Sequence, residues 1–555
     1  MPARAPRGSP RARRRAPAPR RPRGGGRRVR PPGARHPAAA SAREARSRLA
    51  SLADARPARE AAERARDELN RGLALLAAGR SADAAEALRG VSLAAGLTPE
   101  EADLARVRLG RALVARGRVA EGVALLRRVA PTSASAAEAA FYLAREQAKR
   151  SRSPEPYQAV ADGHRGTEWG EESLLSLANH YQKDALDDGA LPWWRRLLAE
   201  YPQGRYVERA AWRVGYADFR AARYEQAATT LESAARSRPP SSATAGLLYW
   251  AGRSRLAMND VERARRLFDE TVRRYKNAYH GLRAREALAR MGAAPAARPA
   301  LLAAASGTET LVEPRGTRLR QLLLLDRLDE AAGELRLVGD SPRALATLAW
   351  IEWRQGRYRP AIVAMKRAYP DWVGEAGDRL PAEVWRILFP LRFDAELRAA
   401  AQGAGLDAAL VAAVILQEST FDPGALSRAG ARGLMQVMPS TGQKIARAKG
   451  QRFRRSALHN PGTSLDFGTH YLRQMSDLYD GSVEKVLAAY NAGPHRVDAW
   501  VKERGERPSE EFIETIPFSE TRTYVMIILA AREQYRRLYG LGRAAAGPAI
   551  EGPRP

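Results

Sequence analysis

The 555-residue chain contains no cysteine, which excludes a disulfide framework, a thiolate metal site and a cysteine nucleophile and leaves the redox compartment unread. Long apolar runs are missing too. The longest uncharged ones, Ala408 to Leu416 and Val525 to Ala531, fall well below the roughly 18 residues that a membrane helix needs. No transmembrane segment is expected, and the chain reads as soluble. The histidines His36, His164, His180, His280, His459, His470 and His495 form no pair at ligand spacing, and neither a GxSxG elbow nor a phosphate-binding loop occurs. No metal and no cofactor are therefore expected.

Acidic residues are in deficit: 62 Asp and Glu face 92 Lys and Arg, a net charge of +30. Half of that excess lies in residues 1–50, which hold 16 arginines and one glutamate. Lysine is scarce, with 8 against 84 arginines, and alanine, glycine and proline abound, a bias that matches GC-rich coding. Basicity is thus poor evidence for nucleic acid, and none is expected as a partner. Residues 1–45 mix Arg, Pro, Gly and Ala without an apolar run and are expected to be disordered. They read as a nucleic-acid or anionic-surface arm, as an export signal lacking its apolar core, or as a stretch upstream of the true start or an unstructured tail of no particular role.

From about Ala42 to Leu391 apolar residues recur at three- and four-residue spacing, the period of helices. One local form recurs, a small-residue turn followed by an alanine-rich helix. It is seen at Ala78-Gly79-Arg80, Arg116-Gly117-Arg118, Ala222-Arg223, Asn259-Asp260 and Gln355-Gly356-Arg357. The first two turns are 38 residues apart and the next two 37. That period belongs to helical hairpins of tetratricopeptide type, each burying its apolar face by stacking on the next. The expected fold class is all-α, a tetratricopeptide-like α-superhelical solenoid over 46–320 and a helical linker domain over 321–392. A mainly helical domain over 393–540 and a disordered tail over 541–555 complete the chain. The aromatics Trp193, Trp194, Tyr201, Trp212 and Tyr216 read as hairpin core.

The informative segment lies beyond Phe393. Asp407 can cap a helix whose apolar stripe, Val411, Val414 and Ile415, ends in Glu418. A carboxyl group at the end of such a stripe is poorly solvated, which raises its pKa toward that of a general acid; the alternative is a helix-end glutamate bent out to water. Next come Gly430-Ala431-Arg432-Gly433-Leu434-Met435-Gln436-Val437-Met438-Pro439, where glycine permits close approach by a ligand and Gln436 can bond both donors and acceptors of a sugar. Asn460-Pro461 leads a further helix. Ala489-Tyr490-Asn491-Ala492-Gly493-Pro494 closes another, and after Glu514-Thr515-Ile516-Pro517-Phe518 a last helix, capped by Ser519, carries Glu520 and Tyr524. Asp422 reads as a loop or cap residue.

Together the strings Gln417-Glu418-Ser419, Gly433-Leu434-Met435-Gln436-Val437-Met438-Pro439, Ala489-Tyr490-Asn491-Ala492-Gly493-Pro494 and Ile516-Pro517-Phe518-Ser519-Glu520-Thr521-Arg522 resemble the soluble lytic murein transglycosylase family, over about 150 residues. Tyr279-His280-Gly281-Leu282-Arg283-Ala284 resembles a motif of that family's superhelix. The resemblance implies a lysozyme-like catalytic domain following the solenoid, with Glu418 as the single catalytic acid. It places Ser419, Gly433, Gln436, Met438, Tyr490, Glu520 and Tyr524 along the glycan groove, Glu520 contacting sugar or positioning Tyr490. It further implies peptidoglycan glycan strands as substrate, cell-wall synthesis proteins as partners of the superhelix, and a periplasmic or cell-envelope location, although the family's export signal is not visible here. The implied reaction cleaves the β-1,4 MurNAc-GlcNAc bond without water and leaves a 1,6-anhydro product. Two other readings stay open, a hydrolytic muramidase using Glu418 with a positioned water, and a non-catalytic glycan-binding scaffold.

Overall fold

The computed structural model describes residues 58–91, 97–182, 188–237, 241, 243–292, 315–338 and 341–542. The tails assigned to 1–45 and 541–555 lie outside the described residues, apart from 541 and 542. The helices of the first half are α1 (Ala58–Ala77), α2 (Ser81–Arg89), α3 (Pro99–Ala115), α4 (Val119–Leu126), α5 (Ala136–Ser151), α6 (Glu155–Gly163), α7 (Glu168–Tyr181), α8 (Leu191–Glu200), α9 (Val207–Arg220), α10 (Tyr224–Ser237), α11 (Thr244–Ala257), α12 (Val261–Tyr275) and α13 (Tyr279–Arg290). Two further hairpins follow, α14 (Arg315–Leu324) with α15 (Leu328–Val338) and α16 (Pro342–Arg354) with α17 (Tyr358–Ala368), and then α18 (Ala382–Leu388). The C-terminal part comprises α19 (Asp394–Gly403), α20 (Ala408–Glu418), α21 (Pro439–Ala448), α22 (Pro461–Leu478), α23 (Val483–Ala492), α24 (Pro494–Arg504), α25 (Ser509–Thr515) and α26 (Ser519–Tyr539). Among the described residues the only extended pairings are isolated bridges, Leu426 with Arg432 and Arg432 with Val437. No single described helix is long and apolar enough to cross a membrane.

The five turns that recur in the sequence share one construction. Gly79, Gly117, Ala222, Asn259 and Gly356 all take positive φ, from 57° to 82°. The N–H of the next residue then reaches back five residues, as from Arg80 to Leu75 (2.9 Å), Arg118 to Leu113 (3.0 Å), Arg223 to Asp218 (2.8 Å), Asp260 to Arg255 (3.0 Å) and Arg357 to Glu352 (2.8 Å). This is the 6→1 closure that satisfies orphan carbonyls at a helix end. A second regularity concerns space. Gly72, Gly110, Gly215 and Gly252 on the first helices lie against Leu88, Leu126, Leu231 and Phe268 on the second, each 16 residues later; an added Cβ would collide with the larger side chain at Gly72, Gly215 and Gly252 and press tightly on it at Gly110. The small residue opens the slot and the large one fills it.

Contacts divide the chain into two compact units, Met1–Ser151 and Arg152–Pro555. The first has its own apolar core, including Leu69, Leu88, Leu109 and Leu113. In the second, hairpins α9 to α13 enclose Tyr216, Trp250 and Phe268, and a larger core runs from Met365 and Trp385 through Val411, Leu434 and Leu487 to Ile528. Asn277 fastens three segments of this unit: its side chain donates to the carbonyl of Trp372 (2.8 Å) and accepts from Gln534 on α26 (3.1 Å), while its backbone N–H donates to Val373 (2.8 Å).

Candidate active site

Helix α20 is the floor of the site. Ala409 to Ile415 are all buried, so the helix is apolar on every side until its last turn. Asp407 caps it by accepting from the N–H of Ala409 (2.9 Å). Burial works against the Asp407 carboxylate, but Arg532 and Arg536 of α26, each at 2.6 Å, hold it below the ordinary carboxylate range. The start of α20 is thereby tied to α26. Its other end is Glu418, followed by Thr420 and Phe421 in the left-handed region at φ 56° and 59°. Two consecutive non-glycine residues there cost on the order of 1 kcal/mol or more each, and the full burial of Phe421 against Tyr535 holds the second in place.

Glu418 keeps part of its surface open to solvent yet is ringed by protein atoms. Burial pushes its carboxyl up to about 7; the hydrogen bond from Tyr524 opposes this and the negative charge of Glu520 adds to it. The Tyr524 hydroxyl donates to Oε1 of Glu418 at 2.7 Å. Tyr490, which feels the Glu418 charge, donates to the carbonyl of Met435 at 2.7 Å and packs on Tyr471, ring centroids 5.3 Å apart. Burial pushes the phenols of Tyr490 and Tyr524 well above their usual range, so both remain neutral donors.

The 419–438 loop is held mainly by its own polar groups. Ser419 is buried and donates to the carbonyl of Leu434 (2.8 Å). Gln436, at φ 47°, gives its amide to the carbonyls of Gly433 (2.9 Å) and Ala425 (3.2 Å). Gly433 takes φ 75°, and an added Cβ would overlap the carbonyl oxygen of Leu458. The close approach expected of this glycine is thus made by the protein's own backbone. Met438 is exposed at the start of α21, and Glu520 is exposed in the first turn of α26. Asp422 closes its own loop by accepting from the N–H of Gly424 (2.8 Å).

The structure therefore gathers Tyr524, Tyr490 and Glu520 around Glu418, sets Ser419, Gly433 and Gln436 into the supporting loop, and leaves Met438 on the surface. Two sequence expectations change. Ser519 does not cap α26: the helix begins at Ser519 with no side-chain cap. Its start is fixed instead by Thr521 donating to Asn491 (2.7 Å) and by Arg522, whose guanidinium reaches the carbonyls of Glu514 (3.5 Å) and Ile516 (3.4 Å). Nor does Glu520 orient Tyr490, whose hydroxyl is taken by Met435.

Glu514, read in the sequence only as the start of a motif string, is fully enclosed. It receives Nε1 of Trp250 (2.9 Å) and meets Nε2 of His280 (2.7 Å). Burial opposes its charge, but the contacts with His280, Arg522 and Trp250 hold it below the usual carboxylate range. Trp250 and His280, the side chains bonded to its carboxylate, lie more than 230 residues away in sequence, so local spacing does not announce them.

Residues 396–513 match the transglycosylase SLT domain family, and residues 247–278 match the tetratricopeptide repeat. The soluble lytic murein transglycosylases of Salmonella typhimurium and Escherichia coli K12 are both 35% identical over 161 residues, 27% of this chain and 24% of theirs. The matched stretch is thus about a quarter of the length of these relatives. Among solved structures, an inactive Glu→Gln variant of the lytic transglycosylase Slt from Pseudomonas aeruginosa aligns with a TM-score of 0.56 at 21% identity, over 89% of this chain and 84% of that one. The 70 kDa soluble lytic transglycosylase of Escherichia coli aligns with a TM-score of 0.54 at 20% identity, over 85% and 80%. These likenesses show the fold, tetratricopeptide-like helical hairpins followed by a lysozyme-like helical domain.

Proposed function

Because its C-terminal domain belongs to the transglycosylase SLT domain family, we propose that this chain is a lytic transglycosylase acting on peptidoglycan, with Glu418 as its acid and then its base. The observation that carries the reading is the Glu418 carboxyl, pushed up to about 7 and hydrogen-bonded by a neutral phenol. A group of that pKa is protonated often enough near neutral pH to give its proton and basic enough afterwards to take one back. Glu418 protonates the glycosidic oxygen between MurNAc and GlcNAc as the bond breaks through an oxocarbenium-like state. The resulting carboxylate then removes the proton of the muramyl 6-hydroxyl as that oxygen attacks the anomeric carbon, giving a 1,6-anhydro ring. The proton returns to Glu418, and no water is consumed.

An intramolecular nucleophile has a very high effective concentration and requires no second protein carboxylate. In keeping with this, among the described residues the only carboxylate whose charge acts on Glu418 is Glu520, an exposed side chain. Ser419, Gly433 and Gln436 hold the groove's loop, Tyr524 and Tyr490 line the acid, and Met438 and Glu520 are open to the glycan. A periplasmic or cell-envelope location follows from the substrate, and the helical hairpins suit contacts with wall-synthesis proteins. Digestion of purified peptidoglycan followed by mass spectrometry tests the reading. Wild type should release muropeptides one water lighter than hydrolytic products, and Glu418→Gln should lower that release about a thousandfold. Products carrying the added water would establish the muramidase instead, and an active Glu418→Gln would sink the mechanism.

A further inference from the structure

Helix α25 places Glu510 and Glu514 four residues apart on one face, and both enter the hairpin helix α11. Glu510 meets Tyr249 and Arg253. Glu514 receives Trp250 at 2.9 Å and contacts His280 of α13 at 2.7 Å. Immediately after α25 the chain passes through Ile516, Pro517 and Phe518 into α26, the helix that brings Tyr524 to Glu418. Arg522 closes that passage from the α26 side, bonding the carbonyls of Glu514 and Ile516, and its guanidinium lies 5.1 Å from the centroid of the Trp212 ring of α9. A buried carboxylate is costly unless its partners are fixed, so the position of Glu514 is dictated by the hairpins and not by the catalytic domain alone.

We propose that Glu514 is a positioning residue for the reaction: held by Trp250 and His280, it sets where α26 begins and so keeps the Tyr524 hydroxyl on the Glu418 carboxylate. The hairpins thereby take part in tuning the acid. The proposal rests on the assignment of Glu418 as that acid. The groups facing Glu418 are Tyr524 and Glu520 from α26 and Tyr490 from α23, with Tyr471 of α22 behind Tyr490. Of these, Tyr524 alone donates to it, so a displaced Tyr524 raises the Glu418 pKa. The protonated acid then persists to higher pH, and the alkaline limb of kcat/KM moves upward.

The test is a set of pH–rate profiles on the full chain with solubilised peptidoglycan, for wild type, Trp250→Phe, Tyr524→Phe and the double variant, with far-UV circular dichroism as the folding control. His280→Ala, which removes the other contact to Glu514, supplies the same readout if Trp250→Phe does not fold. Each single variant should lower kcat several-fold with little change in KM and move the alkaline limb up by about one pH unit. The double variant should move it no further, because both substitutions break one chain of contacts. An unmoved limb in Trp250→Phe and His280→Ala, or shifts that add in the double variant, overturns the inference while an inactive Glu418→Gln leaves the acid assignment standing. An active Glu418→Gln overturns both.

Discussion

Tyr524 and Glu418, 106 residues apart in sequence, share a 2.7 Å hydrogen bond in which the phenol donates to the carboxylate. The bond stabilises the charged form of the acid and so opposes the larger effect of burial. Tyr524→Phe should therefore raise the pKa of Glu418 above its value of about 7. Activity should fall about tenfold at neutral pH, since a donor to a charged group is worth roughly 1.5–3 kcal/mol, part of it felt only after the proton has left. Steady-state rates between pH 5 and 9 check both parts; a limb displaced downward would contradict the geometry.

The raised pKa of Glu418 is also a statement about stability. The folded protein holds this proton to about pH 7, whereas the unfolded chain releases it near the ordinary glutamate value of 4.5. Folding is thus favoured by the group below its unfolded pKa, and that contribution is lost as pH rises through the folded value. Glu418→Gln keeps an acceptor for Tyr524 without the charge. We expect the variant to be more stable than wild type by about 2 kcal/mol at pH 8, with the difference shrinking toward zero near pH 4. Denaturant unfolding at the two pH values measures this, and a pH-independent difference would refute it.

The hairpins and the desolvation of Glu418 were legible in the sequence because both rest on local rules. A small residue at a helix end and a 37–38-residue period specify a turn and a repeat, and an apolar stripe ending in Glu418 specifies its desolvation. The supporting parts obey no local rule. Ser419 meets Leu434 across 15 residues and Gln436 meets Ala425 across 11, so their hydroxyl and amide look available for sugar until the loop is folded. Ser519 has the chemistry of a cap, but Arg522 and Thr521 fasten the start of α26 through partners on other segments. Glu514 is the extreme case, since Trp250 lies 264 residues away and nothing in the spacing of either residue announces the pair.

Two glycines of the loop separate space from backbone strain. Gly430 takes φ 92° with nothing near an added Cβ, whereas Gly433 takes φ 75° with the Leu458 carbonyl and the Ser464 hydroxyl in the way. Gly430→Ala should cost about 1 kcal/mol, from its backbone conformation alone. Gly433→Ala should cost about 3 kcal/mol or more and also lower activity, because the carbonyl that Gln436 holds would have to move. Urea unfolding midpoints together with rates on peptidoglycan distinguish the two positions; equal losses would mean that the overlap with Leu458 relaxes freely.

The hairpin slots yield a prediction about compensation. At Gly252 an added Cβ would lie 2.6 Å from the Phe268 ring, which is fully buried. Gly252→Ala should destabilise the protein by about 2 kcal/mol, in the range of overpacked cores. Phe268→Leu alone should also destabilise it, by leaving part of the slot empty. Combined, the methyl added at 252 occupies space vacated by the ring, so the double variant should be more stable than the sum of the two losses by about 1 kcal/mol. Thermal or urea unfolding of the four proteins completes the cycle. Strict additivity would show that residues 252 and 268 do not share one packing site, and the 16-residue relation between glycine and large side chain would then lose its physical meaning in the other three hairpins as well.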